Sequence, residues 1–558
     1  MKRWASMLAV LALVAVACGS SSATGQSSGP KSGGTLTVAL DGDMKYADPS
    51  FVNDSSSLYV ADQVVEGLVG LEPGTISTVI PVLASALPTV SPDGLTITFK
   101  LRSGIKFHDG TDFNAAAVKF NYDRWKNLPA GDLQNGASNY ETVFGGFLVN
   151  SNLASVDAPD PSTVVFSLVK PQSNFLISQT VASFGIQSPA AIKANDGNNP
   201  KLSKNAYALG SNGKGKAMVG TGPFMFSERK ANDHVTLVKN PNYWNPVAGP
   251  YLDRIVFKPF ADSASELAAL QSGAIDLVET LDPAAVKTLR GKSNMVVLDR
   301  GTGCNITQLG MNALPVPNAP ANVLASKNLR FAIAAAVNRA AYINGYYAGE
   351  ATVADNWLPA GADYYKHEYL PAYNVTAAMG YMAQAGHSTG GVSVDLWYPT
   401  GAPASVMPDP KGLAQAIALD LQAVGITARL RSEAYSPNYL ADEAAGKLPM
   451  WLQSQSCKWG GADDFLYSSF FHYTNDLASP TYNYTNDPLN TVMLQALSDT
   501  DSAKAKADWY KAQDLIAADM PTVPLFSAKL PAGAHKYVMG FVGAGNRTEV
   551  LTTVWLNK

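Results

Sequence analysis

Polar and apolar residues alternate through Thr35-Leu36-Thr37-Val38-Ala39-Leu40, which places Leu36, Val38 and Leu40 on one face of a predicted strand. Ile97, Phe99 and Leu101 alternate in the same way. They follow Ser91-Pro92-Asp93-Gly94, with Pro second and Gly fourth as a type I turn prefers. Elsewhere the period is helical. From Asn328 the apolar positions are Leu329, Ala332, Ile333, Ala336, Val337 and Ala340. Leu413, Ala416, Ile417, Leu421 and Val424 repeat the spacing, and Gly425 follows where a helix C-terminus favours glycine. Trp509, Ala512 and Ile516 mark a late helix that stops before Pro521. Strand and helix signals are mixed along the whole chain, so the expected class is α/β or α+β. The pattern shows no internal repeat and no internal linker.

The N-terminus departs from this pattern. Lys2 and Arg3 precede an apolar stretch from Trp4 to Ala17, which reads as a signal peptide. It ends in Ala15-Val16-Ala17-Cys18-Gly19, which resembles a bacterial lipobox and makes Cys18 the expected lipidation site. Ser, Gly, Thr, Gln and Pro then dominate to residue 33, a composition that reads as a flexible tether. No apolar run reaches the roughly 18 residues of a membrane span, so the lipid is the only expected membrane attachment.

Composition narrows the function. The chain has 558 residues, 46% of them hydrophobic, enough for more than one domain. Charged residues are only 15% and the net charge is −4. No basic stripe interleaved with aromatics occurs, which argues against a nucleic-acid partner. The six His residues are scattered and none pairs at metal-ligand spacing, so neither a metal nor a cofactor is expected. His-Glu-x-x-His and Gly-x-Ser-x-Gly are absent, and Ser-x-x-Lys occurs without its penicillin-binding partners. A carboxylate pair assembled from distant positions keeps an exported hydrolase open as the alternative of another class. Beyond Cys18 the cysteines are Cys304 and Cys457, either independent buried thiols or a pair that the exported compartment allows to bond.

An ordered series of segments resembles the peptide/nickel/oligosaccharide family of extracellular solute-binding proteins, family 5. It opens with Asp62-Gln63-Val64-Val65-Glu66-Gly67-Leu68-Val69, like an early family helix ending in Glu-Gly-Leu. Pro81-Val82-Leu83-Ala84 and the block from Ser91 to Arg102 follow, then Lys106-Phe107-His108-Asp109-Gly110, where His108 and Asp109 read as turn residues. Gly220-Thr221-Gly222-Pro223-Phe224, Asn240-Pro241-Asn242-Tyr243-Trp244 and Ala268–Asp276 come next. Gly310-Met311-Asn312, Leu329–Arg339 and the late Asp519–Leu525 complete the series, with Asn338 where the family usually has Asp.

The resemblance implies an α/β, two-lobed periplasmic-binding-protein-like fold of class II, with an extra subdomain inserted in the first lobe. After the signal (1–17) and tether (18–33), the first lobe would comprise 34–70, the insertion 71–195, 196–303 and the return 529–558. The second lobe would span 304–528. The implied function is non-enzymatic: a monomer captures a small solute between closing lobes and delivers it to the permease subunits of an ABC importer. The resemblance also implies a Cys304–Cys457 disulfide beside the ligand. In peptide-binding relatives an Asp after a Trp anchors the α-ammonium. Here the stretch reads Cys457-Lys458-Trp459-Gly460-Gly461-Ala462-Asp463-Asp464, with Ala462 near the expected place and Asp463 one position on. The ligand candidates are Trp459, Gly461 and Asp463, with Tyr435, Tyr46 and Asn305 by position. Aromatics at Tyr435, Tyr439, Trp451 and Trp459 keep an oligosaccharide open beside a di- or oligopeptide, although Trp451 lies in an apolar strand and reads as core.

Overall fold

Strand Thr35–Leu40 forms as its alternation predicts, and both of its faces are covered. Leu36, Val38 and Leu40 join one apolar cluster, while Ala39 joins another built on the helices Ser263–Ser272 and Pro283–Arg290. The computed structural model describes residues 29–52, 54–128, 138–195, 218–301, 303–313, 322–367, 370–402, 407–471 and 484–558. Cys18 lies outside the described residues.

Thr35–Leu40 pairs in parallel with Arg254–Pro259 and Leu277–Val278. Among the described residues these strands sit in a seven-stranded sheet, ordered Met295–Leu298, Ala532–His535, Leu277–Val278, Thr35–Leu40, Arg254–Pro259, His234–Lys239 and Phe224–Lys230. Its first two strands in the chain's parallel core are neighbours in space but more than two hundred residues apart in sequence, because a separate unit intervenes. That unit carries a four-stranded sheet of Thr89–Val90, Thr96–Lys100, Thr163–Leu168 and Leu153–Asp160, packed on an aromatic core with Phe99, Tyr122, Trp125 and Phe166. The expected turn closes this sheet's first hairpin, with Gly94 N–H donating to Ser91 O at 2.8 Å.

A six-stranded sheet builds the second lobe in the order Ala351–Val353, Thr522–Ala528, Asn305–Met311, Met450–Ser456, Val392–Thr400 and Ile426–Ala434. Helices Pro410–Gln422 and Ser502–Asp519 appear where their apolar periods predict. Two local expectations differ. The period starting at Asn328 is divided into helices Lys327–Ala336 and Arg339–Tyr346. Val337 is extended, and the Asn338 side chain caps the second helix by accepting from Ala341 N–H at 3.3 Å. The early helix Ser55–Ala61 ends before the Glu-Gly-Leu segment. There the Gln63 amide donates to Tyr59 O and Glu549 O and accepts from Leu551 N–H, which ties the chain to its own C-terminal return.

The chain passes between the large sheets twice, from Leu298 to Asn305 and from Ala528 to Ala532. Two passes of a few residues each are the geometry of a hinge.

Candidate functional site: the cleft between the lobes

Open α/β sheets present ligand sites at the carboxyl ends of their parallel strands. In the first lobe those ends are Leu40, Pro259 and Val278. In the second, Val392–Thr400 runs parallel to Ile426–Ala434 and to Met450–Ser456. Ser456 pairs with Asn305, so the carboxyl end of its strand lies at the first crossing between the lobes. Both lobes therefore turn their carboxyl edges toward one cleft. The loops that leave those edges carry Tyr46, Tyr435 and the stretch 457–464.

The crossings are held tightly. Asn305 Nδ2 donates to Ala528 O at 2.7 Å, and its Oδ1 accepts from Ala528 N–H at 2.9 Å. Both amide atoms of Asn305 are thus committed to the second crossing, and its place is in the hinge. A Cβ on Gly303 would stand 1.7 Å from Ala528 O, so the close approach of the crossings requires glycine there. Cys304 and Cys457 form a disulfide with Cα atoms 5.5 Å apart, tying the first crossing to the end of strand Met450–Ser456. Beneath the hinge lies the fully buried Arg300, paired with Glu549 and Glu279 and donating to Glu279 O at 2.6 Å and Leu530 O at 2.7 Å. Arg547 adds a second cation, 2.8 Å from Glu279. A buried charge persists only when so paired.

The loop after Ser456 crosses the cleft. Trp459 belongs to the second lobe in sequence, yet its side chain is 1% exposed within the aromatic core of the inserted unit. Gly460 has φ of 78°, and a Cβ there would strike Ile76 O at 2.4 Å, so only glycine lets this loop dock. Asp464 shapes the turn by accepting from the N–H groups of Lys458 at 2.5 Å and Trp459 at 3.0 Å. Asp463 faces the opposite lobe. It accepts from Trp459 Nε1 at 3.1 Å and from Asn174 Nδ2 of the inserted unit at 2.5 Å. Gly461 leaves room for this carboxylate, since a Cβ would stand 2.5 Å from Asp463 Oδ1. Burial, reinforced by the charge of Asp464, pushes the Asp463 carboxyl up to about 7. Asn174 Oδ1 is buried and has no partner. Around this point Ser173 Oγ donates to Ala496 O at 2.7 Å and Ser77 Oγ to Gly361 O at 2.8 Å, again across the cleft. On its other flank Arg290 pairs with Glu350.

The remaining candidates sort by burial. Tyr435 begins immediately after strand Ile426–Ala434 and is half-buried. Tyr46 is half-buried against the small cluster of Phe51 and Leu128, and its backbone N–H donates to Ser57 Oγ at 3.2 Å. Trp451 is fully buried in its strand, and Tyr439 donates its hydroxyl to Leu452 O at 2.7 Å. His108 and Asp109 lie at their turn, with His108 Nε2 2.9 Å from Gly222 O and Asp109 accepting from Ser188 Oγ at 2.5 Å. Asn174, Gly303 and Arg300 went unrecognised in the sequence. Gly301-Thr302-Gly303 before Cys304 was a readable sign of a tight crossing; Asn174 carried none. Among the described residues no group of His, Cys, Asp or Glu could hold a metal ion, and no helix is long and apolar enough to cross a membrane.

Two lobes joined by a double crossing, with side chains from both meeting between them, have the architecture of a protein that can open and close about a hinge. Residues 78–476 match the bacterial extracellular solute-binding proteins, family 5 Middle, and the chain belongs to that family of binding proteins, which are not enzymes. It is 31% identical over 515 residues, 91% of each chain, to the glutathione-binding protein GsiB of Escherichia coli K12. Its fold matches the ABC transporter-associated periplasmic binding protein DppA from Helicobacter pylori in complex with the peptide STSA, with a TM-score of 0.73 and 25% identity over 95% of this chain and 99% of that one. HbpA2 from Haemophilus parasuis superposes with a TM-score of 0.78 at 23% identity, over 94% of this chain and 100% of that one. The two-lobed fold expected from the sequence is the observed one, and the place of action is extracytoplasmic.

Proposed function

We propose that the protein captures a di- or oligopeptide between its lobes and delivers it to the permease subunits of an ABC importer. Asp463 carries this reading. Its carboxylate is buried at the boundary of the lobes, beside the unpartnered acceptor Asn174 Oδ1, where a ligand's α-ammonium would meet acceptors from both sides. The peptide and glutathione ligands named for the similar proteins support the same class. An oligosaccharide is less well served, because Trp459, Trp451 and Tyr439 have their rings in apolar cores and Tyr435 alone of the four is half-buried. Strand membership supports the division into a first lobe with an insertion at 71–195 and a second lobe at 304–528. Both walls of the cleft come from one chain, so a monomer suffices.

Calorimetric titration with short peptides, their N-acetylated forms and neutral oligosaccharides tests the solute class. Peptides with a free N-terminus should bind, and Asp463→Asn should weaken them strongly. Tight binding of an oligosaccharide with no response to any peptide would overturn the reading. The anchoring proposal rests on the lipobox-like Ala15-Val16-Ala17-Cys18. Cys18→Ser should release the protein from the membrane, and retention there would refute lipidation.

A further inference from the structure

A cavity of about 560 Å³ lies inside the first lobe. Its walls come from the turn after helix Ser55–Ala61, the hairpin of Val69–Leu71 and Val79–Pro81, the Tyr243-Trp244 turn and the C-terminal return. No residue between 304 and 528 lines it, so it is separate from the cleft between the lobes. Its volume falls in the range of about 300–1,000 Å³ usual for small-molecule sites.

A cation, Arg102, and an acid, Asp62, line this cavity with unused hydrogen-bonding capacity. Burial, with Glu549 nearby, pushes the Asp62 carboxyl up to about 8, so a cation beside it would draw it into the ionised form. Arg102 donates Nε to Val82 O at 2.7 Å and lays its guanidinium over Trp244, 5.1 Å from the ring centroid. Its two terminal nitrogens meet no acceptor among the described residues. The Asp62 carboxylate likewise has no hydrogen-bond donor among them. Glu66 is saturated by contrast: Tyr243 Oη and Trp244 Nε1 donate to it at 2.8 Å and Thr221 Oγ1 at 2.7 Å. These bonds fix the Trp244 ring, and with it the platform on which Arg102 rests. Val65 and Val542 supply apolar wall.

A simple anion would meet Arg102 but would leave Asp62 without a partner. A simple cation would meet the carboxylates but also Arg102. Only a ligand carrying both charges satisfies both free groups. We propose that this cavity is a second solute site, for a small zwitterion with an apolar side chain: an amino acid or dipeptide with its carboxylate on the Arg102 fork and its ammonium on Asp62. A planar guanidinium stacked on an aromatic ring is preorganised for carboxylate recognition. The site does not depend on which solute the cleft takes.

Isothermal titration of the full chain with L-leucine, Leu-Leu, N-acetyl-L-leucine and L-leucinamide tests the proposal. L-leucine or Leu-Leu should bind, and the tighter of the two identifies the natural size. The two blocked analogues should bind at least about tenfold more weakly, the factor expected for losing one charge-assisted contact. In an Asp463→Asn background, which removes the proposed amine anchor of the cleft, L-leucine should still bind, and adding Asp62→Asn or Arg102→Met should each weaken it by a similar factor. Val542 is 44% exposed, so Val542→Trp can fill the cavity from the surface without disturbing the core, and it should abolish binding. Thermal midpoints establish that each variant is folded. The proposal fails if neither zwitterion binds folded wild-type protein at concentrations up to about 10 mM. It fails equally if L-leucine binding in the Asp463→Asn background survives both Asp62→Asn and Val542→Trp.

Discussion

Trp459→Ala separates closing from folding. The indole is 1% exposed and sits in the core of the inserted unit, although its backbone belongs to the second lobe. Opening the cleft would withdraw it. An aromatic side chain of this kind buries about 150–250 Å², which at about 25 cal/mol per Å² gives roughly 4–6 kcal/mol for complete transfer. Part of the ring would stay covered by its own loop in the open form, so about half of that, ~2–3 kcal/mol, favours closure itself. Ala also removes the Nε1 donor to Asp463, 3.1 Å away. If solute binds productively only in the closed form, affinity should fall about 30- to 150-fold. Two dyes, one on each lobe, should report a longer mean separation without ligand, and calorimetry should report the weakened affinity. The thermal midpoint of the isolated variant should change far less than for a core Trp substitution such as Trp125→Ala. Unchanged dye separation and affinity, combined with a large loss of thermal stability, would refute the idea that Trp459 acts as a closing latch.

Three further outcomes are expected. Burial raises Asp463 from the usual carboxyl range to about 7, so stability carried by its protonated form is present at low pH and lost as pH rises from about 4 through about 7. An α-ammonium would favour the ionised form, so binding a free peptide at pH 6 should release up to about one proton, and binding by Asp463→Asn should release none; titrations in buffers of different ionisation enthalpy measure this. Gly303→Ala places a methyl 1.7 Å from Ala528 O and should part the crossings, lowering the thermal midpoint and slowing the change in dye separation on ligand addition. Replacing Cys304 and Cys457 together by Ser should cost at most about 5 kcal/mol in urea unfolding, the chain-entropy limit for a bond between residues 153 apart. Two reactive thiols in the denatured, unreduced wild type would exclude that bond.

Local pattern accounts for much of the architecture. The period-two run at 35–40 and the helical periods at 413–424 and 509–516 became the elements they predict, because each carries its burial instruction within a few residues. The split at Val337 did not show, since Asn338 could continue the helix or cap a new one, and contacts with Asp420 in a distant helix favoured the cap. Glu-Gly-Leu was displaced from its expected helix for a similar reason: Gln63 is bound by residues 549–551, almost the whole chain away.

By itself the sequence determined the mixed class, the family and the neighbourhood of the cleft, because the order of segments and the Trp459–Asp464 stretch are contiguous and readable. The tertiary structure decided the roles within that neighbourhood. Asn305 became a clamp on the second crossing because Ala528 lies beside it, and Trp459 became a bridge because the inserted unit offers a core to enter. Asp463 gained its partner from Asn174, a loop residue 289 positions earlier with no mark in its own surroundings. Hydrogen bonds and desolvation act over a few ångströms in space, and two residues so far apart in sequence share such a distance only after both lobes have folded and met.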